Sequence, residues 1–294
     1  MMTTPRQLLS LLAVAGVLLG AGTASAQIKA DIKISKKQYI AHEPVHATVT
    51  ITNHAGHDLL IHTDRAGQGF QWLDFVVKNS QGTSLTPLVA LNFEAVTIPA
   101  GRSISKTIDL TGAYRVTQPG NYRCHAVIRL PRGGGQFTTN SAFFNVTRGQ
   151  QIFSQRVGSG SSVREFRLSI LNTARKSSLY AHLVDIRTGR TLQAFRMGDA
   201  LTFRKPKATI DRSNTLHVLF LTAPNIYAYG RVSVEGRYLG TQYYKPAPGA
   251  KPALATFANG DVVVAGGIDY DPRAERQQRA QIRKLSERPR LTYR

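Results

Sequence analysis

Histidines crowd the first part of the chain: five of the eight fall between positions 42 and 62. Two of them, His54 and His57, stand in a turn-rich stretch, and Asp58 follows directly. Neutral imidazole and carboxylate are ligands that zinc and copper accept, which makes His54, His57 and Asp58 candidate metal ligands. The alternative is an ordinary polar loop, because the spacing matches no established metal-binding signature.

Nucleophiles lack the setting that catalysis requires. Ser159 and Ser161 lie in a Gly/Ser run, with no strand and helix to frame a nucleophile elbow. Cys124 and His125 are adjacent on a predicted strand, so their side chains point to opposite faces. Four glutamates that could pair for glycoside hydrolysis are widely scattered: Glu43, Glu94, Glu165 and Glu235. The sequence therefore predicts a protein that is not an enzyme and has no cofactor.

Tyrosines alternate with cations in the last third of the chain. Aromatic faces with flanking cations suit sugar rings, nucleobases or protein partners. The alternative is ordinary strand composition, because tyrosine favours strands. We take these residues as candidate binding residues, exposed on the surface: Tyr227, Tyr229, Arg231, Arg237, Tyr238, Tyr243 and Tyr244.

Short alternating segments separated by turn residues dominate residues 27–147. Val45–Ile51 alternates apolar and polar residues and stops at Asn53-His54-Ala55-Gly56. Phe70–Val77 is aromatic and β-branched and ends at a second turn signal. About seven or eight such strands predict an antiparallel sandwich in an all-β protein.

One segment of this region carries a family resemblance. Pro119-Gly120-Asn121-Tyr122-Arg123-Cys124 resembles the turn and Tyr-x-Cys opening of the sixth strand in immunoglobulin-like domains. The resemblance implies a tyrosine corner at Tyr122 and the second-cysteine position at Cys124. The position of the partner cysteine in that family, near Val49, is apolar here, and Trp72 lies too far from Val49 to be the core tryptophan of the third strand. The resemblance therefore implies a bacterial Ig-like domain without a disulfide over 27–147. Residues 72–82 also resemble Ig-like domains of the BsuPI proteinase-inhibitor type.

A second β-rich domain is predicted over 163–270, after a linker or loop at 148–162. Leu179–Ile186 and Thr191–Phe195 predict one hairpin, and Asn259-Gly260 marks the turn of another. Leu-Tyr-x-His-Leu and Leu-His-Val-Leu, each near an Asp-containing turn, resemble β-propeller blade sequence. The segment is too short for a closed propeller, so we expect a small sandwich or open blade-like sheets.

Both ends of the chain differ from the β-rich middle. Residues 1–26 have a basic start, an apolar run and Ala24-Ser25-Ala26, the layout of a cleavable signal peptide, with an uncleaved anchor as the alternative. No later segment is apolar enough to span a membrane. The tail, 271–294, is basic and predicts a short helix ending near Pro289, either solvated or laid against an anionic partner.

Charge and cysteine content narrow the function classes. The net charge is +21, with 38 basic and 17 acidic residues, and the excess is spread along the chain. Such a field raises affinity for any polyanion without selecting one. The single cysteine excludes an internal disulfide, so core packing alone must hold the fold, and Cys124 is expected to be a small buried hydrophobe.

These observations favour an exported, non-enzymatic binding or structural module of the cell envelope, periplasmic or secreted. Its expected partner is a protein, a polysaccharide or an anionic surface, without specific nucleic-acid recognition. Two alternatives stay open: an inhibitor or accessory subunit of an exported hydrolase, and a carbohydrate-active or metal-dependent enzyme.

Overall fold

Strands dominate the chain, as the alternating sequence predicts. In a computed structural model, strand residues in several antiparallel sheets far outnumber the residues of two short helices, which confirms the all-β class. The structure describes residues 28–61, 71–131, 135–159 and 163–286. The predicted signal peptide at 1–26 and the predicted helix end at Pro289 lie outside the described residues. Within these ranges, neither helix has the length and apolar character that crossing a bilayer requires.

The chain divides into two units whose segments alternate along the sequence. The first comprises residues up to Ser35, Val45–Arg115 and Asn121–Phe144; the second comprises Lys36–Pro44, Val116–Gly120 and the chain from Asn145 onward. The sequence predicts one boundary within 148–162, whereas the second unit also takes two earlier segments. Hydrophobic periodicity indicates that a segment is a strand but carries no information about which sheet it joins.

The first half of the chain forms ten strands and one short helix within the described residues. The elements are β1 (Ile28–Ile34), β2 (Gln38–Ile40), β3 (His46–Asn53), β4 (Leu59–Ile61), β5 (Leu73–Lys78), β6 (Val96–Ile98), β7 (Ser103–Asp109), α1 (Leu110–Ala113), β8 (Gly120–Arg129), β9 (Gln136–Thr138) and β10 (Ala142–Thr147).

Period-two alternation sorts the residues of β3, the central strand of the β1-β3-β7 sheet. Ala47, Val49 and Ile51 are buried at 0%, 1% and 1% exposure. Residues of the other parity are polar and pair across the strands through their hydroxyls: Thr48 with Thr107 at 2.8 Å, Thr50 with Ser105 at 2.9 Å, and Thr52 with Ser103 at 2.8 Å. One face of this sheet is therefore core and the other a row of cross-strand hydroxyl pairs.

The other large sheet of this part has the strand order β2-β10-β8-β5, with β9 also paired to β8. Cys124, in β8, is fully buried and free, which confirms the expected buried hydrophobe. Trp72 is also fully buried, and its indole Nε1 donates to the Glu94 carbonyl at 3.1 Å. Tyr122 stacks on Phe144 with ring centroids 5.4 Å apart. These buried groups make β8 and the start of β5 the centre of this core.

The second half of the chain forms eleven strands and one helix within the described residues. The elements are β11 (Gln150–Val157), β12 (Arg164–Asn172), β13 (Ser177–Asp185), β14 (Thr191–Asp199), β15 (Lys207–Ile210), β16 (Leu216–Ala223), β17 (Ile226–Val232), β18 (Tyr238–Pro246), β19 (Ala253–Thr256), β20 (Val262–Ala265), β21 (Gly267–Asp269) and α2 (Pro272–Ser286).

Two antiparallel sheets form the second unit, with strand orders β11-β12-β13-β14 and β15-β16-β17-β18-β21. One hydrophobic cluster, the main core of this unit, contains Phe166 and Leu179 from the first sheet and Val218, Phe220 and Ala228 from the second. The sheets therefore bury one face each against the other, which is the sandwich alternative of the sequence prediction. Both predicted hairpins are present, as β13–β14 and β19–β20.

The predicted linker is largely a strand. β11 occupies Gln150–Val157 of the 148–162 segment and pairs antiparallel with β12. The Gly/Ser run after it contains Gly158 and Ser159, and residues 160–162 lie outside the described part. The sequence signal at Ile152–Val157, which also favours a strand, is the one that the structure follows.

Lys36–Pro44 belongs to the second unit although it precedes most of the first unit in sequence. Its strand, β2, pairs in parallel with residues 145–147 of β10. Ile40 is 1% exposed and packs with Leu171 and Tyr180, which lie on β12 and β13. The segment therefore covers the face of the β11–β14 sheet that does not face the main core.

Candidate binding site

Tyr227 and Tyr229 lie on the face of β17 that points away from the main core. They pack with Leu219 and Leu221 of β16. Leu254 and Val264, on the β19–β20 hairpin, pack against this cluster. The two tyrosines are 6% and 5% exposed, so the expectation that they form an exposed surface is wrong. The β19–β20 hairpin, roughly thirty residues further along the chain, covers this face, and the alternation of residues within β17 gives no sign of that cover.

The tyrosines of β18 point to both faces of the sheet. Tyr243 pairs with Ala228 and packs against the main core, whereas Tyr244 pairs with Tyr227 on the other face. Tyr244 also meets Tyr229 edge to face, with ring centroids 6.3 Å apart. Adjacent residues of a strand alternate between faces, so these rings cannot form one platform.

Tyr238, Arg237 and Arg231 occupy three further settings. Tyr238 is 37% exposed and stacks on Phe195 with ring centroids 6.2 Å apart. Arg237 is exposed in the turn before β18, with its guanidinium 4.0 Å from the Glu235 carboxylate. Arg231 places its guanidinium 5.9 Å from the Tyr229 ring centroid. The seven predicted binding residues therefore lie on two faces and a turn, not on one surface.

A hydrogen-bonded chain of three side chains links the turn after β15 with β16 and β17. Asp211 Oδ2 lies 3.0 Å from His217 Nε2, and His217 Nδ1 lies 2.6 Å from the Tyr229 hydroxyl. Asp211 Oδ1 accepts hydrogen bonds from the backbone N–H groups of Ser213 and Thr215, each at 2.8 Å. Sequence reasoning identified Tyr229 but missed Asp211 and His217. The sequence did contain a signal for this pair, because Asp211 stands in a turn and His217 follows six residues later on a predicted strand.

The electrostatics of this chain follow from its burial. Burial acts to raise the pKa of Asp211, but hydrogen bonds from Thr215 and His217 outweigh it and hold that pKa below its usual range. Burial raises the pKa of Tyr229. His217 is 4% exposed. In the arrangement that fits these directions, His217 Nε2–H donates to the ionised Asp211, and His217 Nδ1 accepts from the hydroxyl of a neutral Tyr229. Each polar side-chain group of this buried chain then has a hydrogen-bond partner.

A second polar cluster lies under the Lys36–Pro44 segment. Tyr180 donates its hydroxyl to Glu43, with O–O distances of 3.1 and 3.2 Å. Lys36 pairs with the same carboxylate. Next to it on β13, His182 is 8% exposed, and its Nε2 atom has no hydrogen-bond partner among the described residues. Burial lowers the pKa of His182 to about 4, and the nearby charges of His42 and Arg167 act in the same direction.

The histidines proposed as metal ligands lie in an exposed turn. His54, His57 and Asp58 are all exposed, and Asp58 Oδ1 accepts from the backbone N–H of Ala100 at 3.1 Å. The fully buried Asn53 holds this turn by donating to the His57 carbonyl at 2.9 Å. Over the described ranges, no group of three or more His, Cys, Asp or Glu side chains is placed to hold a metal ion. The turn therefore has a structural organiser, and the metal hypothesis gains no geometric support.

An open cleft of about 530 Å³ lies where the β16–β17 turn, β18 and the start of α2 meet. Two tyrosine side chains, Tyr243 and Tyr270, line it together with Lys245, Glu275 and Arg276. The Lys245 ammonium lies 4.2 Å from the Tyr270 ring centroid and 3.6 Å from the Glu275 carboxylate. Of the predicted binding residues, Tyr243 alone lines this cleft.

The helix α2 begins with a regular cap. Asp271 Oδ1 accepts from the backbone N–H of Arg273 at 2.7 Å, and Pro272 occupies the first helical position. Glu275 is half-buried and hydrogen-bonded by the Tyr270 hydroxyl. Arg273 and Arg276 are exposed. The predicted basic helix is thus present, and Glu275 anchors its first turn while Arg273 and Arg276 face solvent.

Comparisons with known proteins identify no family. No family model matches the chain, and no curated protein matches it. Among solved structures it is similar to an alkylpurine DNA glycosylase AlkC from Pseudomonas fluorescens bound to DNA containing an abasic site analog, at 17% identity and a TM-score of 0.25. That match covers 44% of this chain and 34% of the glycosylase, so the chain spans about a third of its length.

Two further solved structures match more of the chain. The sporulation control protein Spo0M from Bacillus subtilis is 10% identical, with a TM-score of 0.27, covering 89% of this chain and 97% of that one. The YadV chaperone is 12% identical, with a TM-score of 0.23, covering 82% of this chain and 100% of that one. At these scores the similarities carry no argument about function.

Proposed function

We propose that the protein is a non-catalytic binding module for an anionic polymer and that its contact surface is the exposed face of α2 with the adjoining cleft. The observation that carries the proposal is the separation of charge at the start of α2. Glu275 is held by Lys245 and Tyr270, while Arg273 and Arg276 face solvent. Among the described residues, no ion pair involves either of these arginines. Exposed cations that are not engaged in ion pairs attract polyanions.

The overall charge supports the same class of partner. A net charge of +21 produces a long-range positive field that speeds association with any polyanion and weakens as salt is added. A buried, fully hydrogen-bonded Asp211–His217–Tyr229 chain reads as a stabilising network, because Tyr229 is 5% exposed and offers little access to a substrate. We therefore propose no catalytic role for these three side chains.

The proposed setting is the cell envelope. The signal-peptide layout of residues 1–26 supports this proposal, in which the protein is exported to the periplasm or secreted. We also propose that the first unit is an Ig-like sandwich, supported by the Tyr-x-Cys segment and by the buried Cys124 and Tyr122. In this arrangement the second unit contributes the binding surface.

The test compares two charge-matched double variants of the purified protein. Arg273→Gln with Arg276→Gln removes the exposed cations of α2, and Arg175→Gln with Arg187→Gln removes two exposed cations from turns of the β11–β14 sheet. Binding to immobilised polygalacturonate and to polyphosphate is measured at low salt. The α2 variant is expected to bind about tenfold more weakly than the control variant, since each exposed ion pair is worth roughly 1 kcal/mol or less. Equal losses in the two variants would mean that net charge alone drives binding and that α2 is not the surface.

A further inference from the structure

The cleft beside α2 contains more than positive charge. Tyr243 and Tyr270 are half-buried and line it, together with the apolar Pro224 and Pro272. These residues come from the β16–β17 turn, β18, the segment between β21 and α2, and the first turn of α2. A binding surface for charge alone needs no aromatic walls, so the lining indicates a ligand that has flat apolar faces as well as charge.

The charges in the cleft favour a ligand with few, widely spaced negative groups. Lys245 is engaged by Glu275 at 3.6 Å and by the Tyr270 ring, which leaves Arg276 as the exposed cation of the lining. Because Lys245 and Glu275 offset each other, the unpaired charge among the described residues of the lining is that of Arg276, which suits one isolated negative group better than closely spaced phosphates. The Glu275 carboxylate accepts hydrogen bonds from hydroxyl groups.

Sugar rings that carry one carboxylate each have flat apolar faces and widely spaced negative charges. The C–H-bearing face of a pyranose presents weakly positive hydrogens to the negative face of a tyrosine ring. An arginine guanidinium matches a carboxylate through two parallel hydrogen bonds. A volume of about 530 Å³ lies within the range of small-ligand sites and suits a ring or two.

We propose that this cleft is a subsite for acidic polysaccharide, in which a uronic acid ring stacks on Tyr270 and Tyr243 and its carboxylate pairs with Arg276. The inference rests on the proposed function and narrows its polymer class. Ring hydroxyls reach Glu275, Thr222 near the end of β16 and Asn225 in the β16–β17 turn. Arg273, on the same helix but not among the residues that line the cleft, adds only general attraction.

The experiment uses calorimetric titration of the full chain with three probes: a short oligogalacturonate, its methyl-esterified form of the same length, and inorganic tripolyphosphate. The parent protein is expected to bind the acidic sugar at least about fivefold tighter than the ester, since one guanidinium–carboxylate pair is gained. Arg276→Gln abolishes that preference, and Arg273→Gln, which removes the same charge from the same helix, retains it. Tyr270→Phe keeps the ring and retains binding, whereas Tyr270→Leu weakens binding of both sugars.

Several outcomes overturn the subsite. If Arg273→Gln and Arg276→Gln weaken the acidic sugar equally, or if acid and ester bind alike, the cleft does not read a uronate. If tripolyphosphate binds more tightly than the sugar, the polymer is phosphate-based. The polyanion function survives that outcome and equal weakening by the two arginine variants, but it fails if acid and ester bind alike and tripolyphosphate does not bind. If neither tripolyphosphate nor the acidic sugar binds at low salt, the proposed function fails with it. Near-ultraviolet circular dichroism of each variant verifies that the second unit is folded.

Discussion

At the scale of single residues, His182 links stability to pH. Its folded-state pKa of about 4 lies below the unfolded value of 6.5, because burial and the charges of His42 and Arg167 disfavour the imidazolium. The unfolded chain therefore takes up the proton first as the pH falls. Stability from this residue is complete above about pH 6.5 and is lost between about pH 6.5 and pH 4, by at most about 3 kcal/mol.

The variant His182→Leu is predicted to flatten this dependence. The measurement is the free energy of unfolding from urea titrations at pH 7 and pH 4.5. The difference between the two pH values should shrink by about 2 kcal/mol in His182→Leu relative to the parent protein. His54→Gln is the control, since it removes a histidine from an exposed turn. An unchanged difference in His182→Leu would show that other groups carry the acid sensitivity.

Cys124 is predicted to be chemically inert in the folded protein. Its side chain is fully buried, and burial raises the pKa of the thiol to about 12, so the reactive thiolate is scarce. A disulfide-exchange reagent should label it only after denaturant is added, at a rate limited by unfolding. Fast labelling in native buffer would contradict the burial of β8.

The Asp211–His217–Tyr229 chain is predicted to be a stabilising unit. Tyr229→Phe removes the hydroxyl that donates a hydrogen bond to His217, which should reduce the free energy of unfolding by about 1–2 kcal/mol. A double-mutant cycle with Asp211→Asn separates the shared contribution, and a coupling of about 1 kcal/mol is expected. Tyr244→Phe is the control, since the Tyr244 hydroxyl, within the described part of the chain, contacts Gln242 alone, at 3.3 Å in an exposed setting. Equal effects of the two tyrosine variants would remove the case for a coupled chain.

At the scale of elements, the β19–β20 hairpin depends on the backbone of its turn. Gly260 has φ +84°, and a Cβ added there would lie 2.9 Å from Cβ of Arg212. Gly249 also has a positive φ, +72°, but nothing lies within 4 Å of its added Cβ. Gly260→Ala should destabilise the second unit by more than the roughly 1–2 kcal/mol expected for left-handed backbone strain alone in Gly249→Ala. Thermal unfolding measures both, and equal losses would show that Arg212 yields without penalty.

Elements also show where the sequence was informative. Local signals sufficed for the β13–β14 and β19–β20 hairpins and for the basic helix, because turn chemistry and periodicity are encoded within a few residues. They failed for Tyr227 and Tyr229, which a later hairpin covers, and for His217, whose partner Asp211 is brought near by the β15–β16 pairing. Of the predicted contact residues, only Tyr243 lines the cleft, because its other walls come from a turn and a helix start.

At the scale of the whole molecule, the charge of +21 is predicted to weaken the fold at low ionic strength. Like charges repel most strongly in the compact state, and raising salt from about 10 mM to 150 mM shortens the Debye length from about 30 Å to 8 Å. The melting temperature should therefore rise over this range of sodium chloride. An equal osmolality of sucrose serves as the control for solute effects without screening. A melting temperature that falls with salt would contradict net self-repulsion.

The place of Lys36–Pro44 in the second unit has a consequence for biosynthesis. The Glu43 carboxylate and the Tyr180 hydroxyl that meet there are 137 residues apart in sequence. A nascent chain emerges from its amino end, so β2 must remain without its β10 and β13 neighbours until they are translated. Closing so long a loop is slow relative to forming a hairpin. The second unit therefore completes its fold only late in synthesis, and a fragment starting at residue 148 would lack the strand that seals Leu171 and Tyr180.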